Sequence, residues 1–250
     1  MSDDCCKSGF KWDGKPVGRE GTLEKNKAYI TGTNKDAAIL IVHDIFGWTF
    51  NNLRLLADHF AREANATVYL VDFFDGEVLS QDLISDAFEK GDQEKMKQLD
   101  LPAFVGRHSK AIRGPEIFAC ATTLKSQYKK VGAIGYCYGG WGCFQLGGKG
   151  KNLVDCIAVA HPSQCVESEV DALAVPTLIM APETDQQLTP ELKAYCNKVI
   201  PTLGIPYQYD YYPGLVHGFA AKGDPNNPAQ KDGLVRAKNS AVVWFNEFLH

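Results

Sequence analysis

Short apolar runs alternate along this sequence with stretches of helical periodicity. Residues 38–43 form an almost continuous apolar run, as expected of a strand buried on both faces of a sheet. Leucines and alanines at helical spacing follow over Asn51–Glu63, and Thr67–Val71 is the next apolar run. The same alternation predicts later strands at 130–135, 155–160, 176–180 and 207–212, and helices at 116–128, 139–146, 188–200 and 231–249. This order predicts an α/β fold with a mostly parallel sheet and helices on both of its faces.

Residues 80–113 are more polar and less periodic than the rest of the chain. They are predicted to form an insertion of short helices near the C-terminal edge of the sheet. No repeat, low-complexity run or linker rich in Pro, Gly or Ser divides the sequence. Residues 1–250 are therefore predicted to form a single domain, because a chain of this length can bury a large core.

Charge and composition narrow the class of protein. The net charge is −4 and the lysines and arginines are scattered, which argues against a nucleic-acid or membrane-surface partner. The first seven residues are polar and acidic, unlike a signal peptide, and the longest apolar run is too short to span a bilayer. We therefore expect a cytoplasmic protein that is a monomer or a homodimer.

The eight cysteines do not suggest a disulfide framework, since the cytosol keeps thiols reduced. Four of them lie within apolar or helical patterns and are expected to be small core residues, namely Cys120, Cys143, Cys156 and Cys196. Cys5 and Cys6 are adjacent, but no second Cys or His pair lies nearby at the spacing of a zinc site. No metal site is predicted.

The segment 135–139, Gly-Tyr-Cys-Tyr-Gly, lies between a predicted strand and a predicted helix. It matches the nucleophile-elbow pattern G-x-S-x-G with Cys in place of Ser, a turn so sharp that the flanking positions need glycine. The turn also holds its central residue near a helix N-terminus, whose positive end favours a thiolate. The pattern predicts Cys137 as the nucleophile of an α/β-hydrolase fold. The alternative is a tight turn with an ordinary buried cysteine.

A general base and an acid are expected after later strands. His217 lies between the last predicted strand and the last helix, where this fold places its base. Asp185 follows the strand that ends at Met180, so the chain order nucleophile, acid, base agrees with the fold. Glu183 is the competing acid, although its loop position favours it less. The other histidines fit the base role less well. His59 lies inside a predicted helix, His108 in the polar insertion and His250 at the last position. His43 and His161 follow strands and are candidates to line the pocket.

Two backbone amides are expected to form the oxyanion hole. One is the N–H of Tyr138, directly after the nucleophile, and the other is the N–H of Ile45 in the loop after the early strand. Asp44 in that loop either caps the next helix or belongs to the active site. A carboxylate beside a thiol disfavours the thiolate, which suggests that the resting nucleophile stays neutral until substrate arrives.

The sequence resembles the dienelactone hydrolase family, and especially its fungal members, over nearly the whole chain. The resemblance rests on several motifs, namely Cys5-Cys6 followed by residues 14–19 and the segments 43–47, 135–140, 160–163 and 217–224. It implies a Cys-Asp-His triad that corresponds to Cys137, Asp185 and His217. It also implies hydrolysis of dienelactone, an enol lactone, to maleylacetate without a metal or an organic cofactor.

Two positions depart from the bacterial pattern of this family. The active-site Glu of the family is Asp44 here, one methylene shorter. Bacterial members bind the substrate carboxylate with arginines, one of them four residues after the catalytic His, and that position is Ala221. Lys222 and Arg107 are the candidates to take over the binding of an anion, since either side chain can hold a carboxylate. The resemblance therefore does not fix the natural substrate.

The expected reaction is hydrolysis of a small ester or lactone. His217 assists the attack of Cys137 on the carbonyl, the two amides hold the oxyanion, and water cleaves the thioester. One alternative is a thioesterase or general carboxylesterase of the same fold. Another is a non-catalytic redox-sensing or binding protein, in which Cys137 is an oxidisable thiol.

Overall fold

The computed structural model describes residues 12–80 and 91–250, together with residues 83, 84 and 87 between them. Cys5 and Cys6 lie outside the described residues, as does part of the predicted insertion at 80–113. Elements below are numbered in chain order within the described part.

One eight-stranded sheet organises the described chain, in the order β1-β2-β4-β3-β5-β6-β7-β8. Its strands are β1 (Arg19–Leu23), β2 (Asn26–Thr31), β3 (Ala37–Val42), β4 (Thr67–Val71), β5 (Lys130–Tyr136), β6 (Cys156–Ala160), β7 (Thr177–Thr184) and β8 (Tyr207–Val216). Strands β3 to β8 run parallel, whereas β1 and β2 pair antiparallel at one edge.

Helices cover both faces of this sheet, as the alternation predicted. They are α1 (Asn51–Glu63), α2 (Gln93–Leu99), α3 (Leu101–Arg107), α4 (Lys110–Gln127), α5 (Gly139–Leu146), α6 (Glu167–Asp171), α7 (Pro190–Val199), α8 (Phe219–Lys222) and α9 (Pro228–Leu249). Helices α1 and α9 pack on one face, and α4, α5 and α7 contribute buried side chains to the other. Every residue of β3 is buried, which explains why its run of apolar residues is unbroken.

Two features differ from the pattern in the sequence. Helix α4 begins at Lys110 rather than at 116, because the Gly114-Pro115 pair interrupts the periodicity without ending the helix. Packing of Ile117, Cys120 and other buried residues on the sheet holds the helix together across that pair. The hairpin β1–β2 was not expected, since its turn contains neither Gly nor Asn. Glu24 instead adopts the left-handed φ of 51°.

The parallel strands bring several polar residues to one edge of the sheet. Because β3 and β5 to β8 are parallel, their C-terminal ends meet at the same edge, where ligands bind in open α/β sheets. The residues that directly follow these five strands include His43, Cys137, His161, Asp185 and His217.

Candidate active site

Cys137 lies at the tip of a strained turn between β5 and α5. Its φ is 47°, a left-handed conformation that is uncommon for a residue other than glycine. A Cβ atom on Gly135 would lie 2.3 Å from the carbonyl oxygen of Gly139, and a Cβ on Gly139 would lie 2.0 Å from that of Val42. The two glycines are therefore required by close backbone contacts on both sides of the turn. The turn holds the half-buried Cys137 off the sheet, as a nucleophile elbow does.

His217 and Asp185 form a hydrogen-bonded pair after the last two strands. The Nδ1 atom of His217 lies 2.9 Å from each carboxylate oxygen of Asp185. Asp185 Oδ1 also accepts the backbone N–H groups of Gln187, at 2.8 Å, and Leu188, at 3.1 Å. These bonds fix the orientation of the carboxylate. They use the Nδ1 atom of His217, so its Nε2 atom can interact with another group.

The electrostatics of the site link His217 to Cys137. Burial lowers the pKa of His217, but the electrostatic interaction with Cys137 and the hydrogen bonds to Asp185 and Cys137 outweigh it and raise the pKa to about 10. Burial alone would raise the pKa of Asp185, yet its bonds to His217 and to two backbone amides lower it. Cys137, His217 and Asp185 are therefore brought together in one interacting row.

Glu183 does not contact His217. Its carboxylate accepts the backbone N–H of Gly214 at 2.5 Å and is exposed, at the irregular end of the β7–β8 pair. This hydrogen bond joins the end of β7 to the end of β8, whereas the Asp185 carboxylate binds the His217 imidazole.

Two backbone amides near Cys137 have no acceptor within the described part of the chain, those of Ile45 and Tyr138. In the loop after β3, Asp44 accepts the neighbouring amides: its Oδ1 binds the N–H of Phe46 at 2.9 Å, and its carbonyl binds that of Gly47 at 3.2 Å. These are the two amides that the sequence suggested for an oxyanion hole.

Tyr138 is anchored by a network that the sequence did not indicate. Its hydroxyl donates to the carbonyl of His108 at 2.5 Å. The His108 ring lies between Glu77, 2.8 Å from Nε2, and Arg113, whose Nε donates to Nδ1 at 3.1 Å. Since Nδ1 accepts, Nε2 carries the proton and donates to Glu77. The predicted insertion therefore supports the turn that follows Cys137.

Asp44 is nearly fully buried beside the site. Burial raises the pKa of its carboxyl to about 7, although the N–H of Phe46 and the charges of Lys222 and His217 act in the opposite direction. The Asp44 carboxyl therefore changes its charge near neutral pH.

His43 joins two loops. It is completely buried, its Nε2 accepts the backbone N–H of Phe73 at 3.1 Å, and its Nδ1 donates to the carbonyl of Asp44 at 2.7 Å. Burial lowers its pKa to about 4, so the ring is neutral and ties the loop after β3 to the loop after β4.

The two candidate anion-binding cations differ in their surroundings. Arg107, at the end of α3, is half-exposed and pairs with the Glu77 carboxylate, with its nitrogen atoms at 2.6 and 3.2 Å. Lys222, at the end of α8, is partly buried and close enough to Asp44 and His161 to affect the pKa of each. Of the two, only Lys222 is thus placed beside the row formed by Cys137, His217 and Asp185.

Ser163 is a site residue that the sequence analysis did not single out. It is buried, its hydroxyl lies 3.8 Å from the Sγ of Cys137, and its N–H donates to the Cys137 carbonyl at 2.8 Å. The sequence feature that could have identified Ser163 is its position just after β6, which neighbours β5 in the sheet. His161, also after β6, is completely buried against the ring of His217. Within the described chain, His, Cys, Asp and Glu side chains form no group of three or more that could hold a metal ion.

Comparison with known proteins identifies the family. The sequence model of the dienelactone hydrolase family matches residues 27–249. The chain belongs to this family. Hydrolase tropI of Talaromyces stipitatus is 30% identical over 99% of this chain and 97% of its own. The carboxymethylenebutenolidase homolog of Mus musculus is 29% identical over 98% of this chain and 96% of its own.

Solved structures agree on the fold. A dienelactone hydrolase from Anabaena variabilis superimposes with a TM-score of 0.65 at 15% identity, over 94% of this chain and 99% of the other. A carboxyl esterase from Tuber melanosporum gives 0.65 at 13% identity, over 96% and 90%. The predicted α/β-hydrolase fold and the resemblance to dienelactone hydrolases are thus confirmed, and this family member is a hydrolase of ester or lactone bonds.

Proposed function

We propose that this dienelactone hydrolase family member cleaves small ester or lactone substrates through a Cys137–His217–Asp185 triad and a thioester acyl-enzyme. The observation that carries the proposal is the hydrogen-bonded row itself. His217 binds both oxygens of Asp185 at 2.9 Å through Nδ1, and a side-chain hydrogen bond with Cys137 helps to raise its pKa. This is the relation of nucleophile, base and orienting acid that acyl transfer requires.

The first step is nucleophilic attack. The interactions with Cys137 and Asp185 raise the pKa of His217 to about 10, so His217 takes the proton of the Cys137 thiol as the sulfur attacks. The thiolate sulfur forms a bond to the carbonyl carbon of the ester, and the carbonyl oxygen becomes an oxyanion within reach of the amides of Tyr138 and Ile45.

Collapse of this intermediate breaks the bond to the alcohol oxygen. His217 donates its proton to that oxygen, which leaves as an alcohol, or as the freed hydroxyl of an opened lactone. A water molecule then gives a proton to His217 and attacks the thioester, and the carboxylic acid leaves as Cys137 is regenerated. Asp185 stays ionised throughout and stabilises the imidazolium.

The substrate-binding side of the site is proposed from charge. Lys222 is the better candidate to hold an anionic group, since its charge acts on Asp44 and on His161, which packs on His217, whereas Arg107 lies at the end of α3 on Glu77. Asp44 offsets the Lys222 charge when it is ionised, so the proposed substrates include neutral esters and lactones as well as anionic ones. His43 and His161 are proposed to line the buried side of the pocket, and no organic cofactor enters the mechanism.

The test of the nucleophile is hydrolysis of p-nitrophenyl acetate and of a dienelactone by wild type and by Cys137→Ala. We expect the variant to lose at least about 10³-fold in kcat on both substrates, since removal of a nucleophile leaves only binding and the oxyanion hole. Cys165→Ser is the matched control, because Cys165 is partly buried and its thiol donates to the Ser163 carbonyl at 3.4 Å, a bond that a serine hydroxyl can also make. It should stay within about twofold of wild type. Undiminished turnover in Cys137→Ala would refute the mechanism.

The same assay tests the acid with a second matched pair. Asp185→Asn should lower kcat by about 10³-fold or more, because an amide no longer orients His217 or stabilises its imidazolium. Glu183→Gln changes the neighbouring carboxyl in the same way but faces Gly214, so it should retain kcat within about twofold. Equal losses in the two variants would argue against Asp185 as the acid.

A further inference from the structure

The segment before β1, residues 12–18, lies along helix α1 and reaches the loop beside the active site. The backbone N–H of Trp12 donates to the side-chain oxygen of Asn52 on α1 at 2.8 Å. The indole Nε1–H of Trp12 donates to the carbonyl of Gly223, 211 positions further along the chain, at 3.0 Å. Gly223 directly follows α8, so this segment is tied to the helix that ends at Lys222.

Asn52 makes a second bond to the same helix from inside the core. It is completely buried, and its Nδ2 donates to the carbonyl of Ala221 at 2.9 Å. The carbonyls on both sides of Lys222, those of Ala221 and Gly223, are thus each held by a side chain from a distant part of the chain. A helix of four residues does not persist by itself, and its last carbonyls need donors from elsewhere. Trp12 and Asn52 supply two of them.

The side chain of Lys222 lies over the residue that follows His217. An added Cβ atom on Gly218 would lie 2.8 Å from Cε of Lys222, and the Lys222 N–H donates to the Gly218 carbonyl at 3.0 Å. The charge of Lys222 acts to lower the pKa of both Asp44 and His161, which border the triad. Any displacement of the α8 backbone therefore moves this charge relative to the pocket.

We propose that Trp12 and Asn52 are positioning residues for Lys222, which they hold where its ammonium group binds the carboxylate of an anionic ester or lactone. The proposal rests on the function proposed above, in which Lys222 is the candidate for that group. Each of the two residues acts through a backbone carbonyl beside Lys222 rather than through the reacting atoms. The segment 12–18 thereby contributes to the preference for anionic over neutral substrates.

The experiment compares two alkylating reagents of similar size, iodoacetate and iodoacetamide, on Cys137. Only iodoacetate carries a carboxylate, and the ratio of its rate to that of iodoacetamide cancels changes in the reactivity of the thiol itself. Both rates are followed by mass spectrometry of the peptide that contains Cys137. The measurement is made at pH 6, where the Asp44 carboxyl, with a pKa of about 7, mostly carries its proton and does not offset the Lys222 charge.

Three variants test the positioning of the charge. Lys222→Met removes the charge and should lower the rate ratio by about tenfold, the effect of one nearby charge at a partly exposed site. Trp12→Phe keeps an aromatic ring but loses the donor to Gly223, and it should lower the ratio by about threefold or more. In the double variant the ratio should stay within about twofold of that of Lys222→Met, because no charge is left to position. With a dienelactone, Trp12→Phe should raise KM by about threefold and change kcat by less than about twofold.

Trp244→Phe is the matched control for a loss of stability. The indole Nε1–H of Trp244 also donates to a backbone carbonyl at 3.0 Å, but to that of Ile157 in β6. Because Trp244 is buried, the control should lower Tm at least as far as Trp12→Phe does. It should nevertheless keep the rate ratio within about twofold of wild type. An equal fall of the ratio in both variants would overturn the proposal, since lost stability would then explain the change.

The proposal is also overturned if Trp12→Phe or Lys222→Met keeps the wild-type rate ratio. Alkylation needs no ester turnover, so absence of Cys137-dependent hydrolysis in wild type would refute the proposed function, whereas an unchanged ratio would refute the positioning of Lys222. Should Trp12→Phe not fold, Asn51→Ala replaces it, because the Asn51 Nδ2 donates to the carbonyls of Trp12 at 2.9 Å and Gly14 at 3.1 Å. A lower ratio in that variant would support the proposal, and the wild-type ratio would overturn it.

Discussion

Two carboxyl groups beside His217 have pKa values displaced in opposite directions. Asp185 faces three hydrogen-bond donors, which lower its pKa despite burial. Asp44 receives one bond from a backbone amide, and burial raises its pKa to about 7. Asp44 is the more deeply buried carboxyl and has fewer donors, and both differences leave Asp185 ionised while Asp44 can carry a proton.

The raised pKa of Asp44 predicts a specific dependence of stability on pH. The folded state holds the Asp44 proton up to about pH 7, whereas an unfolded aspartate loses it near its ordinary value. The stabilising contribution is therefore complete below about pH 4 and is lost as the pH rises through 7. Asp44→Asn has no such loss and keeps an acceptor for the Phe46 amide.

Urea unfolding of wild type and Asp44→Asn at pH 5 and pH 8 measures this contribution. The stability of Asp44→Asn relative to wild type should rise by about 2–3 kcal/mol between the two pH values. Other titrating groups are common to both proteins and cancel in the comparison. A relative stability that is the same at both pH values would mean that Asp44 titrates as an ordinary exposed carboxyl.

At the scale of elements, the junction of β5 and α5 depends on backbone contacts that exclude any side chain. Gly139→Ala places a Cβ within 2.0 Å of the Val42 carbonyl oxygen, so β3 and α5 must separate. We expect a loss of about 3 kcal/mol or more in the free energy of unfolding, or no folded protein. Gly106→Ala is the control, since a Cβ there meets nothing within 4 Å inside α3, and it should gain up to about 1 kcal/mol. Chemical denaturation of both variants distinguishes the junction from a general intolerance to alanine.

The bounds of the helices and strands also show which parts of the fold can be predicted from the sequence alone. Strand β4 and helix α1 have the predicted bounds, because buried strands and amphipathic helices are defined by the local spacing of apolar residues. The β1–β2 hairpin could not be predicted in this way: β1 is a largely exposed edge strand, and its turn uses Glu24 in a left-handed conformation. Its pairing with β4 is a long-range contact that local pattern does not encode.

The same distinction holds for the site. A residue that directly follows a buried strand can be placed from sequence, and Cys137, Asp185 and His217 all do. The roles of His43, His108 and Ser163 depend on which loops meet in space, and so no spacing along the chain predicts them. The choice between Asp185 and Glu183 likewise depends on where each side chain points. The Glu183 carboxylate binds the Gly214 amide, whereas the Asp185 carboxylate binds His217.

Across the whole molecule, the sheet separates two apolar cores that share its strands. Residues of β3 alternate between them, with Ile39 and Ile41 in one and Leu40 and Val42 in the other. Neither core can be lost without exposing the opposite face of the same strands, which couples the two sides of the fold. In the described residues, no helix is long and apolar enough to cross a membrane.

The three proposed triad residues are not equally well supported by this sheet. Cys137 follows β5, which has parallel neighbours on both sides, whereas His217 follows β8, which in the described chain is an edge strand paired only with β7. Edge strands exchange their amide hydrogens and open locally at a smaller cost in free energy than the centre of a sheet does. Fluctuations that detach the end of β8 would carry the base away from a nucleophile that stays in place. We therefore predict a locally opened, inactive state in which nearly all of the fold is intact, detectable as faster amide exchange in β8 than in β5.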